Sequence, residues 1–353
     1  MKILVPQAER AIRPGPVPSL SVIVAAYQAA DVIGDALESI RRQTVRPLEV
    51  VVCDDGSTDE LDAALEPYMD EIRLLRKQHG GEASAKNAAA HASSGEFVVI
   101  LDADDVFMPE RLEALTELAR LRPDLDILTT DAYLTVDGRP VRRCYHDRWR
   151  FEIHDQRRAI LERNFVFGLA AVRRERLLAR GGFDESILWT TDWDCWIRLI
   201  LDGSRVGAVI EPLALYRVRE ESLSSRRRDL LLGKKASLEK AARNPALTDD
   251  ERRVVARALA SHDREIRLLD LRATVGGATH PGRQAAIDIA RDSQFSVPER
   301  VRAAAIATAP AVARRLIRRS EARTWTGAGG TQVSRQVRPD SHVGALVRRL
   351  RRG

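Results

Sequence analysis

Cysteine, aromatic residues and long apolar runs are all scarce in this sequence of 353 residues. Its three cysteines, Cys53, Cys144 and Cys195, are far apart and form no CxxC pair. That spacing argues against a disulfide framework or a zinc site, and it fits a reducing compartment. The longest apolar run, at residues 303–313, spans only about 11 residues, whereas a membrane helix needs roughly 20. We therefore expect no membrane-spanning helix.

The N-terminal region lacks the pattern of a secretory signal. Its short apolar run is interrupted at Pro6, so we expect no signal peptide and a cytoplasmic protein. Residues 12–19 contain three prolines, which disfavour both helix and strand pairing. We predict residues 1–18 to be a leader that precedes the first folded domain.

Charge is distributed unevenly along the chain. The net charge is +6, yet residues 231–353 carry 25 Lys and Arg against 12 Asp and Glu. The preceding 230 residues are therefore acidic overall. An acidic first part and a basic second part indicate that the two regions have different tasks.

Short β-branched runs alternate with helical patterns in the first part of the chain, as in an α/β sheet flanked by helices. Ligands of such sheets bind beyond the carboxyl ends of the strands. Two acidic clusters occupy those positions. The predicted strands are residues 20–25, 48–53, 72–76 and 97–101.

The first acidic cluster is Asp102, Asp104 and Asp105, directly after a buried strand. Carboxylates two residues apart on an extended segment point to the same side. Such a pair can hold a hard divalent cation that keeps positions open for phosphate oxygens, which would help a diphosphate to leave. The alternative is a solvated acidic turn that caps the next helix.

The second cluster is Asp54, Asp55, Gly56 and Ser57. A carboxylate at a strand end can accept the imide N–H of uracil or a ring N–H of guanine. All three residue types also form turns and helix caps, so the pattern alone does not decide between the two roles.

A third polar cluster lies at residues 189–194, after the segment 181–184. A carboxylate such as Asp192 could remove the proton from an attacking hydroxyl, and Trp189 and Trp193 could stack on a sugar. The helical spacing of Trp193 and Trp196 fits core packing equally well. We predict Trp196 to be a core residue and Trp189 to be functional.

Taken in order, these segments resemble the family 2 glycosyltransferases, which have the GT-A fold and invert the sugar carbon by direct displacement. The resemblance spans residues 19–225. It rests on the segments SVIVAAYQAADVIGDALESIRRQT, VVCDDGSTD, SAKNAAAHASSGEFVVILDADD, MPERL, RGGFDES, TDWDCWIRL and LYRVREESLSS. It implies a GT-A-type mixed, mainly parallel sheet flanked by helices, followed by a mostly helical C-terminal region.

The resemblance also implies roles at the nucleotide end of the site. Ala25 and Tyr27 would border the base, with Tyr27 stacked on it, and Asp55 would hydrogen-bond the base edge. Lys86 would lie near the nucleotide.

Further roles follow at the reaction centre. Asp102, with Ala103 beside it, would approach the ribose and the metal, and Asp104 would bind Mn²⁺ or Mg²⁺ together with the diphosphate. Asp192 would be the catalytic base, with Trp189, Thr191 and Trp193 on the acceptor side.

Two positions depart from the family pattern. Thr191 stands where the family usually has Glu, and Arg219 stands where it often has His. Replacement of that His by Arg219 would either remove a metal ligand or supply a cation to the departing diphosphate. The QxxRW signature of processive synthases is absent, which favours transfer of a single sugar.

The last third of the chain predicts helices over residues 226–325 and a flexible basic tail over 326–353. Residues 311–353 carry 11 arginines against two acids. A solvated helical face with a disordered end explains this best, followed by peripheral binding to the anionic inner face of a membrane, which suits a lipid-linked acceptor. Nucleic acid is the least favoured partner because no nucleic-acid module is visible.

The sequence thus predicts an enzyme that transfers one sugar from a nucleoside-diphosphate sugar to a glycan or lipid-linked hydroxyl in cell-surface glycan assembly. UDP is the favoured nucleotide, with GDP and dTDP as alternatives. A nucleotidyltransferase would usually show a glycine-rich phosphate loop near the first strand, and a glycosidase would not explain Asp55. A non-catalytic scaffold or glycan-binding module remains the main alternative.

Overall fold

The computed structural model of the chain describes residues 1–8, 11–136, 138–146, 149–218, 227–276, 281–308, 324–327 and 331–334. Its main sheet has ten strands, namely β1 (Ile3–Leu4), β2 (Leu20–Ala26), β3 (Glu49–Asp54), β4 (Arg73–Arg76), β5 (Phe97–Asp102), β6 (Val106–Phe107), β7 (Ile127–Val136), β8 (Arg139–Arg143), β9 (Ala171–Arg173) and β10 (Val206–Val218).

Helices connect and cover these strands, and a mostly helical region follows them. They are α1 (Ile33–Arg41), α2 (Leu61–Leu65), α3 (Glu82–Ala92), α4 (Arg111–Leu121), α5 (Gln156–Glu162), α6 (Arg174–Ala179), α7 (Thr191–Leu201), α8 (Arg227–Ala242), α9 (Asp249–Gly276), α10 (Pro281–Arg291) and α11 (Val297–Thr308).

The strand order is β1-β10-β7-β9-β5-β2-β3-β4, with β6 on β10 and β8 on β7. Strands β4, β3, β2 and β5 run parallel, as do β7 and β10, whereas β9 is antiparallel to both of its neighbours. The prediction of a mixed α/β sheet with a helical C-terminal region is confirmed.

The register of the central strands brings the two acidic clusters to one edge. Ala25 of β2 is paired with Asp102 of β5, and Ala26 is paired with Asp54 of β3. The side chains of β2, β3 and β5 are almost all buried, because helices cover both faces of a parallel sheet. The loops after these three strands therefore share one solvent-facing edge.

The helical region packs against the sheet domain at its beginning and forms a second core further on. Leu238 and Ala241 of α8 belong to the main hydrophobic core. The end of α9 packs with α10 and α11 in a separate cluster of Leu271, Ala286, Ile289, Phe295 and Ala303. Among the helices in the described part of the chain, none is long and apolar enough to cross a membrane.

Two expectations about the chain ends need correction. Ile3 and Leu4 form β1 at the edge of the sheet, so part of the predicted leader belongs to the fold. Residues Thr324–Gly327 (β11) and Thr331–Ser334 (β12) pair as antiparallel strands at the start of the predicted flexible tail. The predictions for residues 335–353 lie outside the described residues.

Candidate active site

An exposed aromatic pair lies beyond the end of β2. Tyr27 follows this strand, is 48% exposed, and stacks on His79 with 4.1 Å between ring centroids and 26° between ring planes. A flat aromatic surface of this kind can accept a nucleotide base, since bases stack on aromatic rings. His79 carried no recognisable sequence signal, because it lies in a loop between β4 and α3.

Asp55 holds that loop in place. Both oxygens of its buried carboxylate accept hydrogen bonds, from Lys77 Nζ at 2.7 Å and from the backbone N–H groups of Gly80 and Gly81, and His79 Nδ1 lies 2.9 Å from Oδ2. Burial opposes ionisation of Asp55, but Lys77 and the two N–H groups outweigh it and lower the pKa. A hydrogen bond from the N–H of a base edge to Asp55 therefore stays a prediction.

The acidic cluster after β5 is divided between surface and core. Asp102, Ala103 and Asp104 are partly exposed, whereas Asp105 is buried. Asp105 accepts a hydrogen bond from the backbone N–H of Arg217 in β10, and its own N–H donates to the Asp102 carbonyl. Burial, followed by the charges of Asp104 and Asp102, raises the pKa of Asp105. Asp105 thus shapes the turn that presents the other two carboxylates.

Lys86 connects this turn to helix α3. Its ammonium lies in a buried position, bonded to Glu82 and, at 2.7 Å, to Asp102 Oδ1. Burial lowers the pKa of Lys86, but the charges of Asp102 and Glu82 raise it by more, so the lysine is a cation. The ion pair fixes the position of Asp102 relative to α3.

The exposed carboxylates of this turn fit an open metal site. Within the residues that the structure describes, no three His, Cys, Asp or Glu side chains form a closed metal cage. Asp102 and Asp104 offer oxygen donors, which Mg²⁺ and Mn²⁺ prefer. Mg²⁺ is commonly bound by one or two carboxylates plus substrate phosphates, so this donor set suits a cation that arrives with a diphosphate.

Asp192 occupies the first turn of α7 and is held on one side. Asn164 Nδ2 donates to Asp192 Oδ2 at 3.0 Å, and the Val166 N–H donates to Asn164 Oδ1, which orients the amide. Gly168 lies so close that a Cβ there would be 3.3 Å from the same oxygen. Burial raises the pKa of Asp192, although the Trp193 N–H and Lys86 oppose the shift. Asn164 and Gly168 were not found from the sequence because their loop shows no charge cluster or regular spacing.

The acceptor-side predictions are only partly compatible with the structure. Trp193 is 2% exposed, and its indole N–H donates to the Ile160 carbonyl at 2.8 Å. Thr191 is 5% exposed. Both side chains are buried, and Trp193 packs against α5, so their assignment to an acceptor surface was wrong. Trp196 is buried as predicted, and Trp189 is partly exposed.

A glycine turn before α7 is attached to α3 and to α7 itself. Asn87 of α3 accepts the Phe183 N–H through Oδ1 and donates to the Phe183 carbonyl through Nδ2. Arg198 of α7 donates to the carbonyls of Arg180 and Gly182, each at 2.8 Å. The start of α7 is related to the turn after β5 through Lys86, which pairs with Asp102 and whose charge acts on Asp192. Arg219 lies outside the described residues, so its contact with a diphosphate stays a prediction.

Alanine substitutions at two adjacent glycines should distinguish the cost of backbone strain from the cost of steric crowding. Gly181 and Gly182 both have positive φ, but only at Gly182 would an added Cβ collide with Asn87. We expect Gly181→Ala to lower the free energy of unfolding by about 1 kcal/mol. Gly182→Ala should cost roughly 2 kcal/mol more because crowding is added to the strain. Urea unfolding of both variants measures the difference, and equal losses would contradict the proposed crowding.

Comparison with known proteins identifies the family of one part of the chain. The sequence model described as "Glycosyl transferase family 2" matches residues 21–179. An uncharacterized glycosyltransferase of Methanocaldococcus jannaschii is 23% identical over 208 residues, and one of Rickettsia prowazekii is 28% identical over 186 residues. The hyaluronan synthase of Pasteurella multocida is 31% identical over 188 residues. Residues 21–179 therefore form a domain of glycosyl transferase family 2.

The relatives match this chain over only part of its length. The match to the Methanocaldococcus protein covers 57% of this chain and 71% of that protein, and the match to the Rickettsia protein covers 51% and 58%. The match to the synthase covers 52% of this chain and 19% of the synthase. The matched segment is therefore about half of this chain and only part of each relative.

Solved structures share its fold over most of the chain. S. aureus TarS 1-349 in complex with UDP-GlcNAc has a TM-score of 0.60 at 20% identity, covering 91% of this chain and 97% of that one. The mannosyltransferase PcManGT from Pyrobaculum calidifontis, in complex with GDP-Man and Mn²⁺, has a TM-score of 0.56 at 22% identity, covering 87% and 89%. These likenesses show that the chain shares the fold of these two proteins.

Proposed function

We propose that this chain transfers a single sugar, with inversion, from a nucleoside-diphosphate sugar to an acceptor hydroxyl. The observation that supports the proposal is the electrostatic contact of Lys86 with two carboxylates. Lys86 forms an ion pair with Asp102, and its charge also acts on Asp192. In this proposal Asp192 is the base, and the turn of Asp102 and Asp104 binds the diphosphate.

The nucleotide would occupy the edge formed by the ends of β2 and β3. Ala25 borders this edge, and the Tyr27–His79 pair offers a stacking surface for the base. UDP is the favoured nucleotide, with GDP and dTDP as alternatives. Support comes from structures of the same fold, since TarS is in complex with UDP or UDP-GlcNAc and the archaeal mannosyltransferase with GDP-Man.

The diphosphate would lie against the turn after β5, where Asp102 and Asp104 would hold Mn²⁺ or Mg²⁺. A bound divalent cation neutralises the charge that grows on a departing diphosphate. Lys86 keeps Asp102 in one orientation, and Asp105 ties the turn to β10 through the Arg217 N–H. The chain thus preorganises the carboxylates before the substrate arrives.

Asp192 would accept the proton of the acceptor hydroxyl as its oxygen attacks the sugar carbon. The new carbon–oxygen bond forms on the face opposite the leaving group, and the electrons of the broken bond leave with the diphosphate. Asn164 holds Asp192 Oδ2, so the carboxylate keeps one orientation. Burial raises the pKa of Asp192, which makes it a stronger base than a solvated aspartate.

The acceptor is proposed to be a glycan or lipid-linked hydroxyl in cell-surface polysaccharide or glycolipid assembly. Residues 311–353 supply the positive charge for peripheral contact with an anionic membrane. Binding to anionic vesicles, with and without these residues, checks that part. The second candidate function, a non-catalytic glycan-binding or scaffold module, would keep the fold without turnover.

Calorimetric titration of UDP, GDP and dTDP, with and without Mn²⁺, tests the proposal. We expect one nucleotide to bind in a metal-dependent way, and Asp104→Asn to weaken that binding at least tenfold, about 1.4 kcal/mol, through loss of a cation ligand. Asp70→Asn, at an exposed aspartate in the connection to β4, is the matched control and should bind as wild type. Absence of binding by any nucleotide to folded protein would favour the scaffold function instead.

A further inference from the structure

The first helix of the C-terminal region touches the segment that leads into α7. Gly233, Ser237 and Lys240 of α8 are spaced four and three residues apart, so they lie on one face of the helix. Each of them contacts the segment Asp184–Thr190, which immediately precedes the helix of Asp192. The match to the family 2 model ends at residue 179, so it includes neither side of this contact.

Gly233 is the point of closest approach. A Cβ at this position would lie 2.8 Å from Trp189 Cβ and 3.2 Å from Thr190 Oγ1. Real Cβ atoms do not come that close to another side-chain carbon, so α8 can pack here only because residue 233 has no side chain. The backbone of α8 therefore rests directly on the segment.

Ser237 forms a hydrogen bond with the hydroxyl group of Thr190, which would otherwise cap α7. Thr190 is the N-cap residue of α7, and threonine is a favoured cap because its oxygen can accept an N–H of the first turn. Here the side chain of Thr190 makes no such bond, and its Oγ1 lies 2.9 Å from the buried Ser237 Oγ. A bond between the two helices thus replaces the local cap.

Lys240 binds the N-terminal end of the segment 184–190. Its ammonium forms an ion pair with Asp184 and lies 2.6 Å from Ser186 Oγ. Although burial opposes ionisation of Asp184, Lys240 and Ser186 together lower its pKa to about 2. The segment is consequently attached to α8 at both ends and to α3 through the bonds between Asn87 and Phe183.

We propose that helix α8 positions the catalytic base, with Ser237 and Lys240 as positioning residues that act through the segment 184–190. The first helix of the C-terminal region then supports the active site from outside and is not an independent module. This inference rests on the proposed function of Asp192. No residue of α8 is proposed to touch the reacting atoms.

Lys240→Ala and Ser237→Ala test this role, with Lys235→Ala as the matched control. Lys235 is on the same helix and has a similar exposure, but its ammonium bonds Asp263 of α9. We expect the first two variants to lower kcat about tenfold or more, since small displacements of catalytic groups are costly, while the dissociation constant of the nucleotide is unchanged. Lys240→Arg, which keeps the cation, should restore most of the rate. The assay is nucleoside-diphosphate release from the sugar form of the nucleotide that the titrations select.

Hydrogen exchange provides a readout that does not depend on turnover. The amides of residues 190–195 should exchange faster in Lys240→Ala and Ser237→Ala than in wild type, and should be unaffected in Lys235→Ala. If both readouts match wild type while Asp192→Asn is inactive, the positioning role is overturned and the proposed function stands. If Asp192→Asn is fully active, the proposed role of Asp192 as the base fails because another group takes the proton, and the exchange data still decide whether α8 orders the start of α7.

Discussion

Asp192→Asn should lower the rate of sugar transfer by about 10²- to 10⁴-fold, the usual contribution of a positioned general base. The amide has nearly the same shape as the carboxylate but cannot accept the proton of the attacking hydroxyl. Nucleotide binding should be unchanged, because Asp192 is on α7 whereas the base and diphosphate are expected at the ends of β2, β3 and β5. Steady-state kinetics combined with nucleotide calorimetry separates the two effects.

Asp202→Asn is the matched control for this substitution. Asp202 lies at the opposite end of α7 and pairs with exposed Arg180, far from the proposed chemistry along the helix. Its variant should turn over at the wild-type rate. A transfer rate for Asp192→Asn that equals the control rate would show that another group takes the proton.

The pH dependence of wild type offers a second check on the same residue. Protonated Asp192 cannot act as a base, so kcat/KM should fall as the pH drops through its pKa. Because burial raises that pKa, the acid limb should lie above the ordinary aspartate value of about 3.9. The residual activity of Asp192→Asn should lack this limb.

Lys86→Met should destabilise the protein by about 3 kcal/mol and abolish metal-dependent nucleotide binding. The methionine fills much of the same space but leaves Asp102 and Glu82 without the cation between them. Removing one partner of a buried ion pair is costly, since the remaining charges stay poorly solvated. Both carboxylates are themselves partly exposed, which places the expected loss at the lower end of the usual range. Urea unfolding measures the stability, and calorimetry measures the binding.

Lys235→Met provides the comparison for an exposed ion pair. Lys235 bonds Asp263 in a position open to solvent, so its loss should change the free energy of unfolding by no more than about 1 kcal/mol. Similar losses for the two variants would mean that the pair of Lys86 and Asp102 behaves like a surface contact. The proposed anchoring of the turn would then be wrong.

Much of the sheet domain could be predicted from local pattern. The strand containing Val22, Ile23 and Val24 was evident because a buried parallel strand needs a continuous β-branched run. Asp102 and Asp104 were predicted as site residues because they lie at the end of such a strand, at the edge where ligands of α/β sheets bind. The assignment of Trp193 to the acceptor side failed. The sequence pattern around an aromatic residue in the first turn of a helix is the same whether that residue faces solvent or the core.

Other parts of the site had no local signal. Asn164 and Gly168 contact Asp192 across nearly thirty residues, and Lys77 and His79 meet Asp55 from the loop after β4. Nothing in the spacing of these residues marks them, because each acts through the folding of a loop onto a distant element. Strand β1 was missed for a related reason, since two residues are too few to show an alternating pattern.

The sequence by itself determined the class of fold and the position of two acidic clusters at strand ends on one edge of the sheet. These depend on hydrophobic periodicity and on residues close to strand ends, which are local properties. Only the tertiary structure decided that Asp105 and Trp193 are buried, that Asp55 binds its own loop, and that α8 rests on the segment before Asp192. Burial, hydrogen-bond pairing and helix packing depend on which distant residues meet, and that information is not contained in any local stretch of the chain.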